Sequence, residues 1–266
     1  MTGNLGKIVL SVAAASDIGV VRSNNEDNFY LNGVWREDVG QERMSYQDVV
    51  KVVKQPKIFA VMDGMGGLKD GEIASLTAAR ELDRLCMEDP SYDMLTFLLK
   101  MNDSVCEARR ESGGRLGSTA VMACVDTEGV RFANIGDSRG YLLRDGELTR
   151  MSVDHSERGS LERVRENLGI DEELPGNMRD GLTQYLGIEK EELIIEPEVG
   201  EKQPFDVGAM LLLCSDGLTS CVTEETIQEL LTTDDEVQVV AKKLIDLAIE
   251  SGSRDNITVI LVRREE

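Results

Sequence analysis

The sequence predicts an α+β protein in which antiparallel strands, joined by short turns, are accompanied by amphipathic helices. Strands are predicted at 117–126, 130–135 and 138–144, and the dipeptide Asp145-Gly146 is a strong hairpin signal. Apolar residues recur at helical spacing over 73–85, 94–108 and 237–249. Because consecutive strands are connected by short turns, we expect them to pair antiparallel.

The first part of the chain contains two further predicted strands. Residues 7–16 form an apolar run that we interpret as a strand, although a lysine before small apolar residues also resembles a short signal peptide. Residues 33–57 are weakly patterned and suggest a hairpin excursion followed by the start of a strand. The run 58–62 has the length of a buried strand, which we expect to end at Asp63 because glycines follow.

The remaining chain alternates between an irregular segment and regular elements. Residues 152–187 are charged and contain Gly and Pro, which predicts a surface excursion with one short helix at 161–168. A strand is predicted at 210–214, helices at 223–231 and 237–249, and a terminal strand at 257–262. The order of elements is therefore specified almost from end to end.

Composition limits the classes of function. The chain has 266 residues, of which 41% are hydrophobic and 30% charged, as in an ordinary globular protein. A formal net charge of -21 disfavours binding to nucleic acid or to an anionic membrane. The five cysteines form no close metal-ligand pair and are interpreted as free, mostly buried thiols in a reducing cytoplasm. We expect a cytoplasmic protein, with a monomer favoured.

The segment 59–67 has the composition of a cation site. A buried strand delivers the Asp63 carboxylate beside Gly64, Gly66 and Gly67, which allow a ligand to approach the main chain closely. An exposed aspartate in a tight turn is the simpler interpretation of this stretch alone. The same construction recurs at Asp216, however, where Gly217 follows another apolar run.

Four aspartates flank predicted strands in this manner, and antiparallel pairing can bring them to one edge of a sheet. They are Asp63, Asp137, Asp216 and Asp255. Gathered carboxylates repel each other unless a cation neutralises them. With a single histidine and no cysteine cluster, oxygen ligation of Mg²⁺ or Mn²⁺ is favoured over zinc or copper. Two such ions about 3.5–4 Å apart can activate a water molecule for attack on phosphorus. The guanidinium of Arg22 would then bind the phosphate oxygens.

The motifs along the chain together resemble those of one enzyme family. In order, they are Arg22-Ser23-Asn24-Asn25-Glu26-Asp27, Val61-Met62-Asp63-Gly64-Met65-Gly66-Gly67, Gly117-Ser118-Thr119, Gly136-Asp137-Ser138-Arg139, Asp154-His155-Ser156, Ser215-Asp216-Gly217 and Arg254-Asp255-Asn256-Ile257-Thr258. This series resembles the metal-dependent serine/threonine phosphatases of the protein phosphatase 2C type, in the short bacterial form. The order of the motifs over nearly the whole chain carries the resemblance.

The resemblance implies a fold, a reaction and a set of roles. The fold would be a four-layer α-β-β-α sandwich, two antiparallel sheets flanked by helix pairs, forming a single catalytic domain over residues 1–266 with a flap at about 156–182. The reaction would be hydrolysis of phosphoserine and phosphothreonine in proteins by water or hydroxide bridging two Mn²⁺ or Mg²⁺ ions. The proteins would be substrates of a serine/threonine kinase in signal transduction.

The roles implied by the resemblance fall on eight residues. Asp63 would bridge both ions, the Gly64 carbonyl would bind the first, and Asp216 and Asp255 would bind the second. Glu26 would contribute to the second ion through water, Asp27 would orient the attacking water, and Arg22 would bind phosphate. Asp137, with Asp216, would hold a third, weaker cation.

Two departures from the family pattern leave alternatives open: one is Met65, and the other is the run Thr183-Gln184-Tyr185-Leu186-Gly187, which stands where an arginine-containing version is common. Met65 stands where many eukaryotic relatives have a histidine that protonates the leaving group, so another group must supply that proton. His155 is a candidate acid but is more readily a loop anchor, and Arg139 either binds phosphate or forms a structural ion pair. The alternative function is a catalytically inactive phosphoprotein-binding scaffold of the same fold. A third hypothesis, a phosphodiesterase acting on nucleic acid, would require a basic track that this acidic sequence lacks.

Overall fold

A computed structural model describes residues 7–37, 43–53, 55–66, 70–89, 92–170, 174 and 181–266. This part of the chain contains thirteen strands and six helices. The strands are β1 (Ile8–Asp17), β2 (Asp27–Leu31), β3 (Val34–Trp35), β4 (Arg43–Val52), β5 (Lys57–Gly66), β6 (Leu116–Ser118), β7 (Ala120–Val125), β8 (Val130–Ile135), β9 (Arg139–Arg144), β10 (Glu147–Arg150), β11 (Glu198–Val199), β12 (Met210–Cys214) and β13 (Ile257–Arg264). The helices are α1 (Gly71–Glu88), α2 (Met94–Ser112), α3 (Glu157–Leu168), α4 (Asp216–Thr219), α5 (Glu224–Leu231) and α6 (Val237–Glu250).

The strands form two sheets. The first sheet has the order β10-β9-β12-β13-β1-β4, and the second has the order β11-β8-β7-β5-β2-β3, with β6 paired to β5. Neighbouring strands in both sheets are antiparallel. The expected antiparallel pairing across short turns is found for β7–β8 and β9–β10. It was wrong for β8 and β9, because the short loop between them passes from the second sheet to the first.

Alternate residues of the central strands face two different cores, which explains their continuous apolar sequences. In β12, Leu211 and Leu213 belong to the core between the sheets, whereas Met210, Leu212 and Cys214 pack toward the helices. All five side chains are buried. Burial of each leucine contributes about 1.5–3 kcal/mol, so a polar substitution on either face is costly.

Helices cover the outer face of each sheet. The apolar faces of α1 and α2 pack on the second sheet, and those of α5 and α6 pack on the first. With the core between the sheets, these contacts make three apolar layers. The predicted four-layer α-β-β-α sandwich is therefore confirmed.

The sequence predictions of individual elements need three corrections, the first being that the strand predicted at 117–126 is divided at Thr119 into β6 and β7. The strand predicted to end at Asp63 continues to Gly66, because Gly64, Met65 and Gly66 pair with the short strand β6. The helix predicted at 161–168 begins earlier, at Glu157. The glycines after Asp63 therefore permit close pairing of strands; they do not end the strand.

The weakly patterned segment 33–57 contains β3 and the ten-residue strand β4, which forms one edge of the first sheet. The predicted flap at 156–182 contains α3, and residues 171–173 and 175–180 lie outside the described residues, as does Gly67. The five cysteines are free thiols, but only Cys106 and Cys214 are buried, so the expectation that most of them are buried was wrong. Within the described ranges, no helix is long and apolar enough to cross a membrane.

Candidate active site

Asp63 and Asp27 lie opposite each other on neighbouring strands at one end of the sandwich. Residue Asp27, the first of β2, pairs directly with Asp63 in β5. Phe29 and Val61, two residues along each strand, belong to the core between the sheets. Because side chains alternate along a strand, Asp27 and Asp63 face the same space, at its end.

Asp216 and Asp255 come to this end of the sandwich from the first sheet. The end of β12 pairs with the beginning of β13, with Cys214 opposite Val259, so the residues that follow β12 and precede β13 are neighbours. The Asp216 carboxylate lies close enough to Asp63 for its charge to raise the pKa of Asp63. The two sheets thus each contribute carboxylates to one cluster.

The gathered carboxylates raise one another's pKa. The pKa of Asp63 is raised well above its ordinary value, first by burial and then by repulsion from four aspartates, Asp27, Asp216, Asp137 and Asp255. Burial is also the main cause that raises the pKa of Asp27 to about 7, and the pKa of Asp216 is raised in the same way. A divalent cation would relieve this repulsion.

Glu26 and Gly64 are held together by main-chain contacts. The Gly64 amide donates a hydrogen bond to the Glu26 carbonyl at 3.2 Å, and the Ser75 hydroxyl donates to the same carbonyl at 2.6 Å. Burial, followed by repulsion from Glu72, raises the pKa of Glu26. A Cβ atom on Gly64 would lie 2.1 Å from the Gly71 carbonyl oxygen, so only glycine fits there.

Asp137 follows β8 in the loop that passes from the second sheet to the first. It is half-buried and contributes to the repulsion that raises the pKa of Asp63. The neighbouring Ser138 hydroxyl forms a 2.6 Å hydrogen bond with the Thr119 hydroxyl. Since Thr119 also contacts Asp63, this loop is fixed to the end of β5.

Arg22 lies at the open side of the cluster. Its Nη2 is 2.6 Å from Oδ2 of Asp255, and 47% of its side chain is exposed. Arg22, Asp216 and Asp255 line one cavity of about 570 Å³. A guanidinium at this position can reach an anion that enters beside the carboxylates.

The donor set fits hard divalent cations. Among the described residues, no three His, Cys, Asp or Glu side chains are grouped so that they could hold a metal ion. Asp255 instead contacts Arg22, and Asp27 accepts a hydrogen bond from Ser215. Oδ1 of Asp27 and Oδ1 of Asp216, however, are buried and have no hydrogen-bond partner. Buried carboxylate oxygens of this kind are the ligands that Mg²⁺ and Mn²⁺ prefer.

Three polar residues that position the acids were not assigned roles from the sequence. The Ser215 hydroxyl donates to Asp27 at 2.7 Å, and the Asp63 amide donates to the Thr119 hydroxyl at 3.0 Å. The side-chain carbonyl of Asn256 accepts from the Glu26 amide at 2.8 Å. Each of these three residues lies inside one of the sequence motifs. Membership in a motif was the only feature of the sequence that could have indicated its role.

His155 and Arg139 have structural partners. Nδ1 of His155 accepts a hydrogen bond from the Gly136 amide at 3.2 Å, and its side chain is buried. The Arg139 guanidinium forms an ion pair with Asp154 at 2.7 Å. These contacts favour the loop-anchor interpretation of His155 and the ion-pair interpretation of Arg139.

Acidification is expected to destabilise the protein through His155. Burial lowers the pKa of His155 from 6.5 to about 4, so its stabilising contribution is full above pH 6.5 and is lost as the pH falls toward 4. In H155Q, which retains an acceptor, the loss of unfolding free energy between pH 6.5 and 4.5 should be about 2 kcal/mol smaller than in the unmodified protein. Urea unfolding at several pH values measures this difference.

The same variant tests the catalytic alternative. Hydrolysis of a phosphothreonine peptide, whose alkoxide leaving group must take up a proton, should in H155Q stay within about threefold of the unmodified protein, whereas removal of a general acid costs about 10²-fold or more. A parallel pH dependence of stability in the two proteins would contradict the structural role.

Comparison with known proteins identifies related families and structures. The family model described as protein phosphatase 2C matches residues 32–257. The serine/threonine protein phosphatase PstP of Mycobacterium tuberculosis is 34% identical over 96% of this chain, which spans 45% of the length of that relative. The serine/threonine phosphatase stp of Listeria monocytogenes is 32% identical, with 94% of each chain covered.

Solved structures agree with this comparison. A crystal structure of the M. tuberculosis phosphatase PstP superposes with a TM-score of 0.75 at 30% identity, covering 97% of this chain and 100% of the other. The catalytic domain of PstP in complex with two manganese ions superposes with a TM-score of 0.73, also at 30% identity, with the same coverage.

Proposed function

Since the chain belongs to the protein phosphatase 2C family of serine/threonine phosphatases, we propose that it hydrolyses phosphoserine and phosphothreonine in proteins with the help of two Mn²⁺ or Mg²⁺ ions. The observation that carries the proposal is the pairing of Asp27 with Asp63 at the end of the sandwich, with Asp216 and Asp255 close enough to raise the pKa of Asp63. The structure of a relative with two manganese ions supports the choice of cation.

The residue roles in this proposal follow the geometry of the cluster. Asp63, Asp216 and Asp255, with the Gly64 carbonyl and Glu26, would hold the two ions. When bound, the ions would lower the pKa of the attacking water and neutralise charge on the phosphoryl group. Asp137, together with Asp216, would hold a third and weaker cation.

The remaining chemistry belongs to groups of the chain itself. Asp27 would orient the attacking water through its carboxylate, which the Ser215 hydroxyl holds at 2.7 Å. Arg22 would bind the phosphate oxygens, exchanging part of its ion pair with Asp255 for the substrate. Met65 has no proton to donate, so the leaving group would take its proton from water.

The protein's setting is part of the same proposal. We propose one catalytic domain over residues 1–266 with a flap at about 156–182, a cytoplasmic location, and substrates that a serine/threonine kinase has phosphorylated. This is a proposal for the chain given, which spans less than half of the M. tuberculosis relative.

Release of phosphate from phosphopeptides tests the proposal. We expect hydrolysis of phosphothreonine and phosphoserine peptides with Mn²⁺ or Mg²⁺, none after addition of a chelator, and recovery when excess cation is restored. Tight peptide binding without turnover under these conditions would instead support the inactive scaffold. Hydrolysis that persists in the chelator would contradict the two-ion mechanism.

A further inference from the structure

A groove of about 660 Å³ lies beside the end of β5, on the helical side of the candidate active site. We name it the β5 groove, and its lining includes Met65, Gly66, Arg115, Leu116, Tyr185 and Leu193. None of these residues belongs to the carboxylate cluster. The groove combines an apolar wall with arginine side chains, which is a composition suited to an extended peptide.

The groove is continuous with the carboxylate cluster through the backbone. Gly64, Met65 and Gly66 pair with Ser118, Gly117 and Leu116 in β6, and Leu186 pairs with Ser118 on the other side. Each strand residue advances about 3.3 Å, so Gly66 is roughly 10 Å along β5 from Asp63. An extended peptide covers that distance with about three residues.

The walls of the groove are fixed by hydrogen bonds. Arg109 donates to the Gly187 carbonyl at 2.8 Å and contacts both Glu192 carboxylate oxygens at 2.7 and 2.8 Å. Asn102 accepts from the Gly187 amide at 2.8 Å and donates to the Ile188 carbonyl at 3.1 Å. A peptide would therefore meet a surface that needs little rearrangement.

Arg115 differs from Arg109 in having no such partner. It is exposed, and it forms no hydrogen bond or ion pair within the part of the chain that the structure describes. The Glu192 carboxylate is hydrogen-bonded to Arg109, which lowers the pKa of Glu192, and the positive charge of Arg115 contributes to that lowering. The side chain of Asp70 lies near Gly114, the residue before Arg115. In a chain of net charge -21, this guanidinium is positioned to attract an acidic group.

We propose that the β5 groove binds the substrate residues that flank the phosphorylated residue, and that Arg115 selects an acidic side chain two or three positions away. Leu116, Tyr185 and Leu193 would contact the aliphatic part of the same peptide. This inference rests on the proposed phosphatase function and specifies its substrate preference. Because the contact lies away from the reacting phosphate, it should act on KM more than on kcat.

Phosphopeptides that differ only at the second and third residues on either side of phosphothreonine test the inference. With the unmodified protein, glutamate at one of these positions should give a kcat/KM about threefold above alanine, the range expected for an exposed ion pair, and lysine should give a lower value than alanine. R115A should remove the preference for glutamate, and R115E should reverse it. Both effects should appear in KM more than in kcat.

Two controls separate this inference from the proposed function. R131A changes an exposed arginine at the opposite end of β8 from Asp137 and should leave the preference intact. Hydrolysis of p-nitrophenyl phosphate, which is too small to reach the groove, should be unchanged in R115A and R115E. A protein that hydrolyses peptides without the preference, or an R115A variant that retains it, overturns the inference alone. Failure of the unmodified protein to hydrolyse any peptide overturns the function on which it rests.

Discussion

Replacement of Asp63 by asparagine is expected to lower phosphatase activity by about 10³-fold, because this residue contributes the carboxylate that the proposed mechanism shares between two cations. The same substitution should increase stability in the presence of a chelator. Burial, and then repulsion from four neighbouring aspartates, raises the pKa of Asp63, so a neutral side chain removes an unfavourable buried charge. The expected gain in unfolding free energy at pH 7.5 is on the order of 1 kcal/mol.

Opposite effects on activity and stability distinguish this prediction from simple loss of folding. Phosphate release and urea unfolding, both measured on D63N and on the unmodified protein, provide the two readouts. D145N is the matched control, since Asp145 lies in the β9–β10 turn with 93% of its side chain exposed and a positive φ that asparagine tolerates. A D63N variant with full activity would refute the assignment.

Replacement of Gly64 by alanine is expected to destabilise the protein by about 3 kcal/mol and to remove most of its activity. A Cβ atom on Gly64 would lie 2.1 Å from the Gly71 carbonyl oxygen and 2.5 Å from the Glu26 carbonyl oxygen. Both neighbours are backbone atoms, so no rotation of a side chain relieves the overlap. To relieve the overlap, the backbone of β5 would have to move away from Glu26 and from the beginning of α1.

Thermal and urea unfolding of G64A and G200A measure this effect. Gly200 is the control because the nearest atom to an added Cβ is the Phe132 carbonyl oxygen, 3.6 Å away, an ordinary contact. We expect G200A to change the unfolding free energy by less than about 1 kcal/mol. Equal stability of the two variants would contradict the close packing at Gly64.

Predictions from the sequence succeeded where one local pattern determines the structure. The apolar run of β12 could be interpreted correctly because both faces of this strand are buried, and the helical spacing in α1, α2 and α6 reflects one buried face each. The resemblance in motifs then supplied the layer order. Family membership and the four-layer fold were both predicted and confirmed.

The predictions were incomplete where contacts between distant residues decide the structure. β4 lies at a sheet edge and is largely exposed, so its sequence has no continuous apolar run. β5 was predicted to end at Asp63 and does not, because pairing with β6 depends on a segment about fifty residues away. The hydrogen bond between Ser215 and Asp27 likewise joins residues 188 positions apart.

The carboxylate cluster is a feature that folding alone would not favour. Buried acids with raised pKa values reduce stability at neutral pH, and two of their oxygens have no hydrogen-bond partner. Such local conflict with the rules of stability is typical of a functional site. It is the physical reason for expecting that cations belong there.

Anomalous scattering from crystals of the protein grown with Mn²⁺ tests the central proposal most directly. We predict two strong peaks at the end of the sandwich, both in contact with a carboxylate oxygen of Asp63 and at least one in contact with Asp216 or Asp255. Well-diffracting crystals with saturating Mn²⁺ and no peak beside Asp63 would contradict it.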